Sequence, residues 1–285
     1  MLERFLEAYD AVLVLDTETT GISCRKDEII ELAVLKAGQA DGALCELETM
    51  DEFIRLSEGR RLPDKIVELT GITEQMLLDD GIEKRLAAER FAAMFGGKTL
   101  IVAYNAQFDL CFLYYFLAQF GMADVLKGAQ MLDALTVYKD RRPFPHKLCN
   151  AVDAYQLKTQ NTHRAIDDAR ATLELLAAME EERFREIAAQ QAGRGDVLLI
   201  ETAMRPESVR RLCDAAAQVC GGRCAVFAGA DGAYHFAVIH AGQDIRGLVK
   251  DMNAALHGRG GGRDGFAQGS VSCTEADIRA FFAGL

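Results

Sequence analysis

The stretch AVLVLDTETTG, from Ala11 to Gly21, is an apolar run that ends in two carboxylates separated by one threonine. Successive side chains on a strand point to opposite faces, so Asp16 and Glu18 should point the same way if this run is a strand. Two carboxylates on one face of a buried strand end repel each other, and a hard divalent cation with oxygen ligands is the usual group that stabilises them. A solvated strand end is the alternative, and this stretch alone does not decide between the two.

Two later segments again combine a carboxylate with an apolar stretch. IVAYNAQFDLCFL begins at Ile101 and includes Asp109, and HRAIDDARAT begins at His163 and includes Asp168. The three segments in this order resemble the DEDDh branch of the DnaQ-like 3′-to-5′ exonucleases. The resemblance extends from about residue 11 to residue 176.

In that family four carboxylates bind two metal ions and a histidine acts as the base. The resemblance therefore implies Mg²⁺ or Mn²⁺ as cofactor, with Asp16 bridging two ions, Glu18 and Asp168 on the ion beside the attacking water, and Asp109 on the other. It implies His163 as the catalytic base, and an ordinary histidine pKa near 6.5 suits that task. A surface or helix-capping histidine is the alternative.

Two adjacent aspartates compete for the last metal-binding position. The family pattern places this ligand five positions after the histidine, which selects Asp168 over Asp167. Five helical residues turn through about 500°, so His163 and Asp168 would face apart if both were helical. We therefore expect His163 just before the helix or in its first turn, with Thr162 or Asn161 as the cap.

Four further residues near these segments are candidates for binding the terminal nucleotide. Thr19 and Thr20 lie in the loop beside the first carboxylate pair, where backbone N–H groups could face the substrate. Asn105 either supports the site by hydrogen bonding or is a turn residue before a helix. Phe108 either stacks on the terminal base or is a core aromatic.

The composition agrees with a cytoplasmic enzyme of two domains. With 285 residues, of which 50% are hydrophobic, the chain can bury a large core. No apolar run reaches the length of a membrane span, and the N-terminal MLERFLEAYD lacks the charged-then-apolar order of a signal peptide. We therefore expect a cytoplasmic protein with no membrane partner.

The eight cysteines have spacings that suggest no disulfide framework. Cys111 and Cys149 lie in apolar helical patterns, where a free thiol behaves as a small core residue. The cluster of Cys213, Cys220 and Cys224 lacks paired C-x-x-C units, which favours reduced structural thiols over a zinc site.

The net charge of −11 is unusual for a protein that binds nucleic acid, since phosphate binding recruits Lys and Arg. Residues from Gly193 onward include ten basic and ten acidic residues, so the first 192 residues, with 22 basic and 33 acidic, carry the whole net charge. Four of those acids are the expected metal ligands, and two divalent ions would cancel their charge. The remainder favours modest, non-processive binding of short strand ends.

Periodicity predicts an α/β fold for the first part of the chain. Three strands, antiparallel with short connections, are predicted over Val12–Leu15, Ile29–Lys36 and Leu44–Thr49. Helices are predicted over Pro63–Leu69, Glu83–Phe95, Asp109–Phe120, Met131–Tyr138 and Lys147–Tyr155, with a buried strand over Leu100–Ala103 and a long helix from about Ala165. Strands first and βα units later indicate a mixed sheet with helices on both faces, which is the ribonuclease H-like arrangement that the resemblance implies.

A charged, then glutamine- and glycine-rich stretch predicts a domain boundary near Gln191–Gly195. This gives an exonuclease domain over residues 1–190 and a smaller α/β domain over residues 196–285. The second domain is predicted as strand, helix, two strands joined by a hairpin turn, helix, glycine-rich loop, strand and helix.

The string GRGGGRDGFAQG, Gly258–Gly269, resembles the DHH-associated domain in the form that ends alanyl-tRNA synthetases; the domain also follows the catalytic domain of RecJ-like phosphoesterases. Glycines expose backbone N–H groups and let phosphates approach closely, although a flexible loop is the alternative on glycine content alone. In relatives this domain binds nucleic acid, which makes Arg259, Arg263 and Gln268 candidate contacts. No DHH motif occurs upstream, so the domain is attached to a different nuclease.

These observations predict a metal-dependent 3′-to-5′ exonuclease whose partner is the 3′ end of single-stranded or short DNA or RNA. Proofreading beside a polymerase and trimming of structured RNA such as tRNA are alternatives, although nothing specific indicates a polymerase partner. A catalytically inactive nucleic-acid-binding module is a hypothesis of a different class. A metal-dependent esterase acting on a small molecule is the weakest alternative.

Overall fold

The computed structural model describes residues 6, 8–40, 43–263 and 265–285. They form two compact units, one over Ala8–Met179 and one that includes Glu180–Leu285. The strands are β1 Ala11–Thr19, β2 Ile29–Ala40, β3 Ala43–Phe53, β4 Thr99–Ala103, β5 Gln130–Asp133, β6 Gly195–Glu201, β7 Gly221–Ala230, β8 Ala233–Ile239, β9 Arg259–Arg263 and β10 Phe266–Val271. The helices are α1 Asp64–Thr70, α2 Glu74–Asp79, α3 Lys84–Ala93, α4 Ala106–Ala118, α5 Ala134–Arg141, α6 Leu148–Tyr155, α7 Ala165–Ala189, α8 Pro206–Cys220, α9 Arg246–Ala255 and α10 Glu275–Ala283, with a 3-10 turn at Ala123–Leu126.

The first unit contains a five-stranded mixed sheet in the order β3-β2-β1-β4-β5. β1 pairs antiparallel with β2, which pairs antiparallel with β3, whereas β4 and β5 continue parallel to β1. Residues 11–15 of β1 and all of β4 are buried, as continuous apolar strands covered on both faces should be. The predicted mixed α/β fold is therefore confirmed.

One predicted helix is wrong in its first part. Residues Gln130–Asp133 form the edge strand β5, and the helix begins only at Ala134. Asp133 caps that helix, because its side chain accepts a hydrogen bond from the Leu135 N–H. Pairing of β5 with β4 in the tertiary structure outweighs the local helical pattern of residues 131–133.

The second unit is built on a five-stranded sheet in the order β6-β7-β8-β10-β9. β6 and β7 are parallel, and the remaining neighbours are antiparallel. The last turns of α7 contribute Phe184 and Ala188 to an apolar cluster of this unit, so its core draws on residues that precede the predicted boundary near Gln191–Gly195. The boundaries 190 and 196 stay a prediction.

The glycine-rich stretch predicted as a loop is instead strand β9, paired with β10. A Cβ on Gly260 would come within 2.6 Å of both the Gln268 carbonyl oxygen and the Phe236 ring, and one on Gly262 would overlap the backbone of Phe266. Glycines at these positions let two strands approach where side chains would clash. The loop prediction is wrong because it leaves out this strand pairing, in which glycine permits the close approach of two backbones.

Cysteine pairing also differs from the sequence expectation. Cys111 is joined to Cys24 in a disulfide with Cα atoms 5.8 Å apart, a usual separation for such bonds. These residues are 87 positions apart in sequence, so no local pattern pairs them. Cys149, Cys213 and Cys220 are free thiols, as expected.

Within the described ranges, none of the helices combines the length and the apolar character that crossing a bilayer requires.

Candidate active site

The first pair of expected metal ligands lies at the end of β1. The residues on either side of Asp16 and Glu18 are buried, whereas these two are only partly covered and share one face of the strand. Glu18 lies opposite Glu31 of β2, and the register shifts between Glu18 and Thr19. Such an irregularity is common where a strand end positions functional side chains.

The third expected ligand comes from the helix that follows β4. Asp109 lies in the first turn of α4 and is 2% exposed. Its Oδ1 accepts a hydrogen bond of 2.7 Å from the Thr17 hydroxyl on β1. This contact joins the two segments, which are 92 residues apart in sequence.

The fourth expected ligand and the expected base lie at the start of α7. Asp168 is buried, and its carboxylate accepts hydrogen bonds from the Asn161 side-chain amide and the Thr162 N–H. His163 has a φ of 57° and precedes the helix, as predicted. Potential ligand atoms of Glu18, His163 and Asp168 all lie within 4.8 Å of one another.

The cap of α7 comes from β2 and not from Thr162 or Asn161, so that prediction is wrong. The N–H of Ala165 donates 2.9 Å to Glu31 Oε2, and the Arg164 guanidinium donates two hydrogen bonds of 2.9 and 2.7 Å to Glu31 Oε1. Glu31 is fully buried, and its negative charge stabilises both the guanidinium and the positive end of the helix.

Burial raises the pKa of all four carboxyl groups, and for Asp16 and Glu18 the negative charges of the other carboxylates in the site raise it further. The pKa of Asp16 lies well above its usual range, first because of burial and then because of the negative charges of Asp109 and Asp168. Burial is also the main cause of the pKa values of about 8 for Glu18, about 7 for Asp109 and about 6 for Asp168. Together these groups resist ionisation unless positive charge is supplied.

The donor set fits a hard divalent cation. Four carboxylates offer the oxygen ligands that Mg²⁺ and Mn²⁺ prefer, and the positive charge of a cation among them would lower their pKa values by stabilising the ionised form. The positive charge of Arg164 lowers the pKa of Glu18, but the Arg164 guanidinium is hydrogen-bonded to Glu31. Residues from β1, α4 and the start of α7 thus form one acidic site.

The residues expected to contact the terminal nucleotide lie on the same segments. The Thr19 hydroxyl donates to the Gly21 carbonyl oxygen, while Thr20 exchanges backbone and side-chain hydrogen bonds with Glu28. These bonds fix the loop after β1. Whether it contacts substrate stays a prediction.

Asn105 and Phe108 lie around the start of α4. Asn105 is exposed and left-handed, with φ 68° and ψ 48°, and its N–H donates to Asp133 Oδ1. Asparagine adopts the left-handed conformation more readily than most residues, so the backbone of Asn105 agrees with its role as a turn residue before the helix. The Phe108 ring is partly buried against Phe112, with centroids 4.9 Å apart. Their substrate contacts stay predictions.

The expected contacts of the second unit lie on its edge strand. Arg259 and Arg263 begin and end β9, all of which is exposed. Arg263 also lines a cavity of about 320 Å³ together with glycines of β9 and residues of α9. Gln268 lies on β10, opposite Gly261.

Sequence reasoning missed Thr17 and Glu31. Thr17 lies between the two carboxylates of β1, but its partner comes from a distant segment. Glu31 left a readable signal, since it is the single charged residue in the apolar run IIELAVL. A charged residue in a buried strand needs a partner.

Comparisons with known proteins identify the family and the fold of this chain. A family model described as Exonuclease (RNase T) matches residues 13–176. A DNA polymerase III of PolC type from Halalkalibacterium halodurans is 33% identical over 170 residues, which cover 59% of this chain but 11% of that protein. The chain thus corresponds to about a tenth of the length of that relative.

Solved exonuclease structures share the fold. Escherichia coli exonuclease I in complex with a dT13 oligonucleotide aligns with a TM-score of 0.53 and 14% identity, covering 95% of this chain and 68% of that one. The cell-death related nuclease CRN-4 aligns with a TM-score of 0.51 and 19% identity, covering 60% and 64%. Since the family model spans more than half of the chain and includes all the segments of the acidic site, the protein belongs to the RNase T exonuclease family.

Proposed function

We propose that the protein is a metal-dependent 3′-to-5′ exonuclease of the DEDDh type, acting on single-stranded or short nucleic acid. The observation that carries this proposal is the convergence of five side chains near the carboxyl end of β1, the central strand of the sheet: Asp16, Glu18, Asp109, Asp168 and His163. Four carboxylates with raised pKa values are unfavourable in a folded protein unless cations bind them. The match to the exonuclease family supports the same chemistry.

The four carboxylates would hold two divalent ions, Mg²⁺ or Mn²⁺. When bound, the ions would activate the attacking water and neutralise charge on the departing 3′-oxygen. His163 has a conformation set by the turn before α7 and lies beside Glu18 and Asp168, so its imidazole can accept the proton that the attacking water loses. Thr17 orients Asp109, while Asn161 and Thr162 orient Asp168.

Several features support single-stranded or short nucleic acid as the substrate. The acidic first part of the chain disfavours long-range binding to a polyanion. Exonuclease I, whose fold this chain shares, has been solved with a dT13 strand. The second unit would assist as a nucleic-acid-binding module of the DHH-associated kind, with Arg259, Arg263 and Gln268 beside the glycine-rich strand.

Proofreading is a second candidate function, because the PolC-type relatives are DNA polymerases. This chain spans only 11% of the length of those proteins, so the activity of the whole relatives is carried over only as a proposal. Trimming of structured RNA is a third candidate function, because Gly258–Gly269 resembles the domain that ends alanyl-tRNA synthetases. A mispaired 3′ end within a duplex would be removed faster than a free strand under the proofreading proposal.

The test uses 5′-labelled oligonucleotides of one sequence, as DNA and as RNA, incubated with Mn²⁺, Mg²⁺ or EDTA. Metal-dependent shortening by the wild type, absent in the double variant Asp16→Ala, Glu18→Ala, is the expected result. The ratio of the DNA and RNA rates then identifies the preferred sugar. Unchanged strands with every metal, together with tight binding by both proteins, would favour the inactive binding module.

A further inference from the structure

A short segment of the first unit combines an exposed aromatic ring with basic residues. We name residues 141–147, RRPFPHK, the Phe144 loop; it joins α5 to α6. The Phe144 side chain is 84% exposed, and among the described residues only Ile22 is a more exposed large apolar side chain. Arg141, Arg142 and Lys147 are basic, and the loop has no acidic residue although the first part of the chain is strongly acidic. A single exposed apolar residue is common, but an exposed ring flanked by three basic residues in an acidic part of the chain is not.

The Phe144 loop is held at the edge of the sheet where the acidic site begins. The Tyr104 hydroxyl, at the end of β4, donates 2.8 Å to the His146 carbonyl oxygen. Phe144 and His146 meet edge to face with ring centroids 5.9 Å apart. Tyr104 directly precedes Asn105 and the first turn of α4, which carries Asp109. The ring is therefore tied, through two contacts, to the segment that supplies a metal ligand.

The Phe144 loop has a fixed shape. Pro143 and Pro145 restrict the backbone on either side of the ring. A His146 ring nitrogen lies 2.8 Å from the Arg142 carbonyl oxygen, and the Arg142 guanidinium lies over the Tyr155 ring at 4.7 Å. A loop ordered in advance loses little conformational entropy when a ligand binds it.

An exposed ring among cations fits single-stranded nucleic acid. Every base can stack on an aromatic face, and unpaired bases are the ones free to do so. Arginine and lysine neutralise phosphates, and here they interrupt a surface whose net charge would otherwise repel a strand. A protein partner with an acidic segment would satisfy the cations but has no particular need of the aromatic ring.

We propose that the Phe144 loop binds the single strand upstream of the terminal nucleotide, with one base stacked on Phe144 and phosphates paired with Arg141 and Lys147. The inference rests on the proposed function, because it supplies the path by which a 3′ end reaches the acidic site. It also accounts for how an acidic unit retains a polyanion without a long basic groove.

The test measures the affinity of the full chain for a labelled oligo(dT) strand of about 12 nucleotides in EDTA, where no hydrolysis occurs. Phe144→Ala should weaken binding about tenfold, and Phe144→Trp should restore it. The matched control is Tyr114→Ala, which removes another exposed ring from α4. Because Phe144 is exposed, the variants should keep the wild-type melting temperature.

A second experiment tests the charges and compares the double variant Arg141→Gln, Lys147→Gln with the control Lys127→Gln. Lys127 is an exposed lysine near the start of β5. Loss of two phosphate contacts should lower the slope of log affinity against log salt by about 1.4, whereas the control should not change it. Equal affinities for Phe144→Ala and Tyr114→Ala, or a Phe144→Trp variant as weak as Phe144→Ala, would overturn the inference. So would displacement of the strand by poly-glutamate at the same concentration as by unlabelled strand.

Failure of the proposed function is read separately. Wild-type protein that binds the strand in EDTA but never shortens it with Mn²⁺ would refute the exonuclease proposal. The affinities of the Phe144 and Tyr114 variants in EDTA would still test the role of the Phe144 loop. Wild-type protein that shortens the strand while Phe144→Ala keeps the wild-type affinity and KM would refute the loop alone.

Discussion

Glu31 binds Arg164 from within the sheet: the buried carboxylate accepts 2.9 and 2.7 Å hydrogen bonds from the guanidinium. Arg164 directly follows His163 in the chain, and the helix that starts at Ala165 carries Asp168 on its first turn. The ion pair thus fixes the turn that holds the expected base and one expected metal ligand. We infer that Glu31 is a positioning residue for both.

Replacing Glu31 with Gln should lower both stability and activity. The change leaves the Arg164 charge without its buried partner, and breaking such a pair costs about 3 kcal/mol of unfolding free energy. Loss of orientation in residues that support metal ligands reduces activity about 10- to 100-fold, and kcat should account for most of it. Urea unfolding and steady-state kinetics on one oligonucleotide measure the two effects.

Glu46→Gln is the matched control for that variant. It breaks the ion pair between Glu46 and Arg170, which lies on the same helix but is about a third exposed. Exposed pairs contribute about 1 kcal/mol or less, so stability and activity should change little. Similar losses of stability and activity in the two variants would mean that Glu31 only stabilises the helix and does not position the residues of the site.

Replacing Asp16 with Asn should stabilise the metal-free protein while removing activity. The change deletes one of several mutually repelling carboxylates, and relief of such strain is worth about 1 kcal/mol at pH 8. The exposed Asp124, paired with Lys127, provides the control Asp124→Asn. An Asp16→Asn melting temperature in EDTA at or below that of the wild type would contradict the repulsion described for this site.

The metal-free protein should lose stability as the pH rises from about 5 to about 8. Glu18 ordinarily titrates near 4.5 but has a pKa of about 8 in the folded state, and Asp109 and Asp168 are raised to about 7 and about 6. In this range the folded state holds protons that the unfolded state has released, so raising the pH favours unfolding.

A bound divalent ion should remove most of that pH dependence, because ions compete with protons for the same oxygens. Melting temperatures at pH 6 and pH 8, each with EDTA and with Mn²⁺, provide the measurement. The stabilisation by Mn²⁺ should be larger at pH 8. Equal stabilisation at both pH values would place the metal-binding oxygens elsewhere.

Thr17→Val tests the hydrogen bond to Asp109. Valine keeps the shape of threonine but removes the 2.7 Å donor, whose effect is to lower the pKa of Asp109. The Asp109 pKa should rise further, and the affinity for Mn²⁺ should fall about tenfold in calorimetric titrations at pH 7. Thr17→Ser retains the hydroxyl and should bind Mn²⁺ as the wild type does.

The sequence predicts where Asp16, Glu18 and His163 lie on their strand and helix, because these placements depend on local spacing. Asp16 and Glu18 share a face through strand alternation alone, and the five-position spacing from His163 to Asp168 predicts that His163 precedes its helix. What was missed depends on tertiary pairing. The Glu31–Arg164 pair joins positions 133 residues apart, and β5 is a strand only because β4 lies beside it.

The glycine-rich strand shows the other kind of limit. The glycine content there predicts a loop, whereas Gly260 and Gly262 permit the close approach of β9 and β10. In a loop glycine increases the freedom of the backbone, whereas in a tight strand pair it permits close packing of two backbones. Only the presence of the neighbouring strand distinguishes the two cases.

The direction of degradation tests the central proposal most directly. A strand labelled at its 5′ end, the same strand labelled at its 3′ end, and a circular strand are each incubated with Mn²⁺ and either the wild type or Asp16→Asn. The account predicts a ladder that shortens progressively from the 5′-labelled strand, immediate release of labelled mononucleotide from the 3′-labelled strand, an intact circle, and no products with Asp16→Asn. Cleavage of the circle, or equal products from the wild type and the variant, would contradict it.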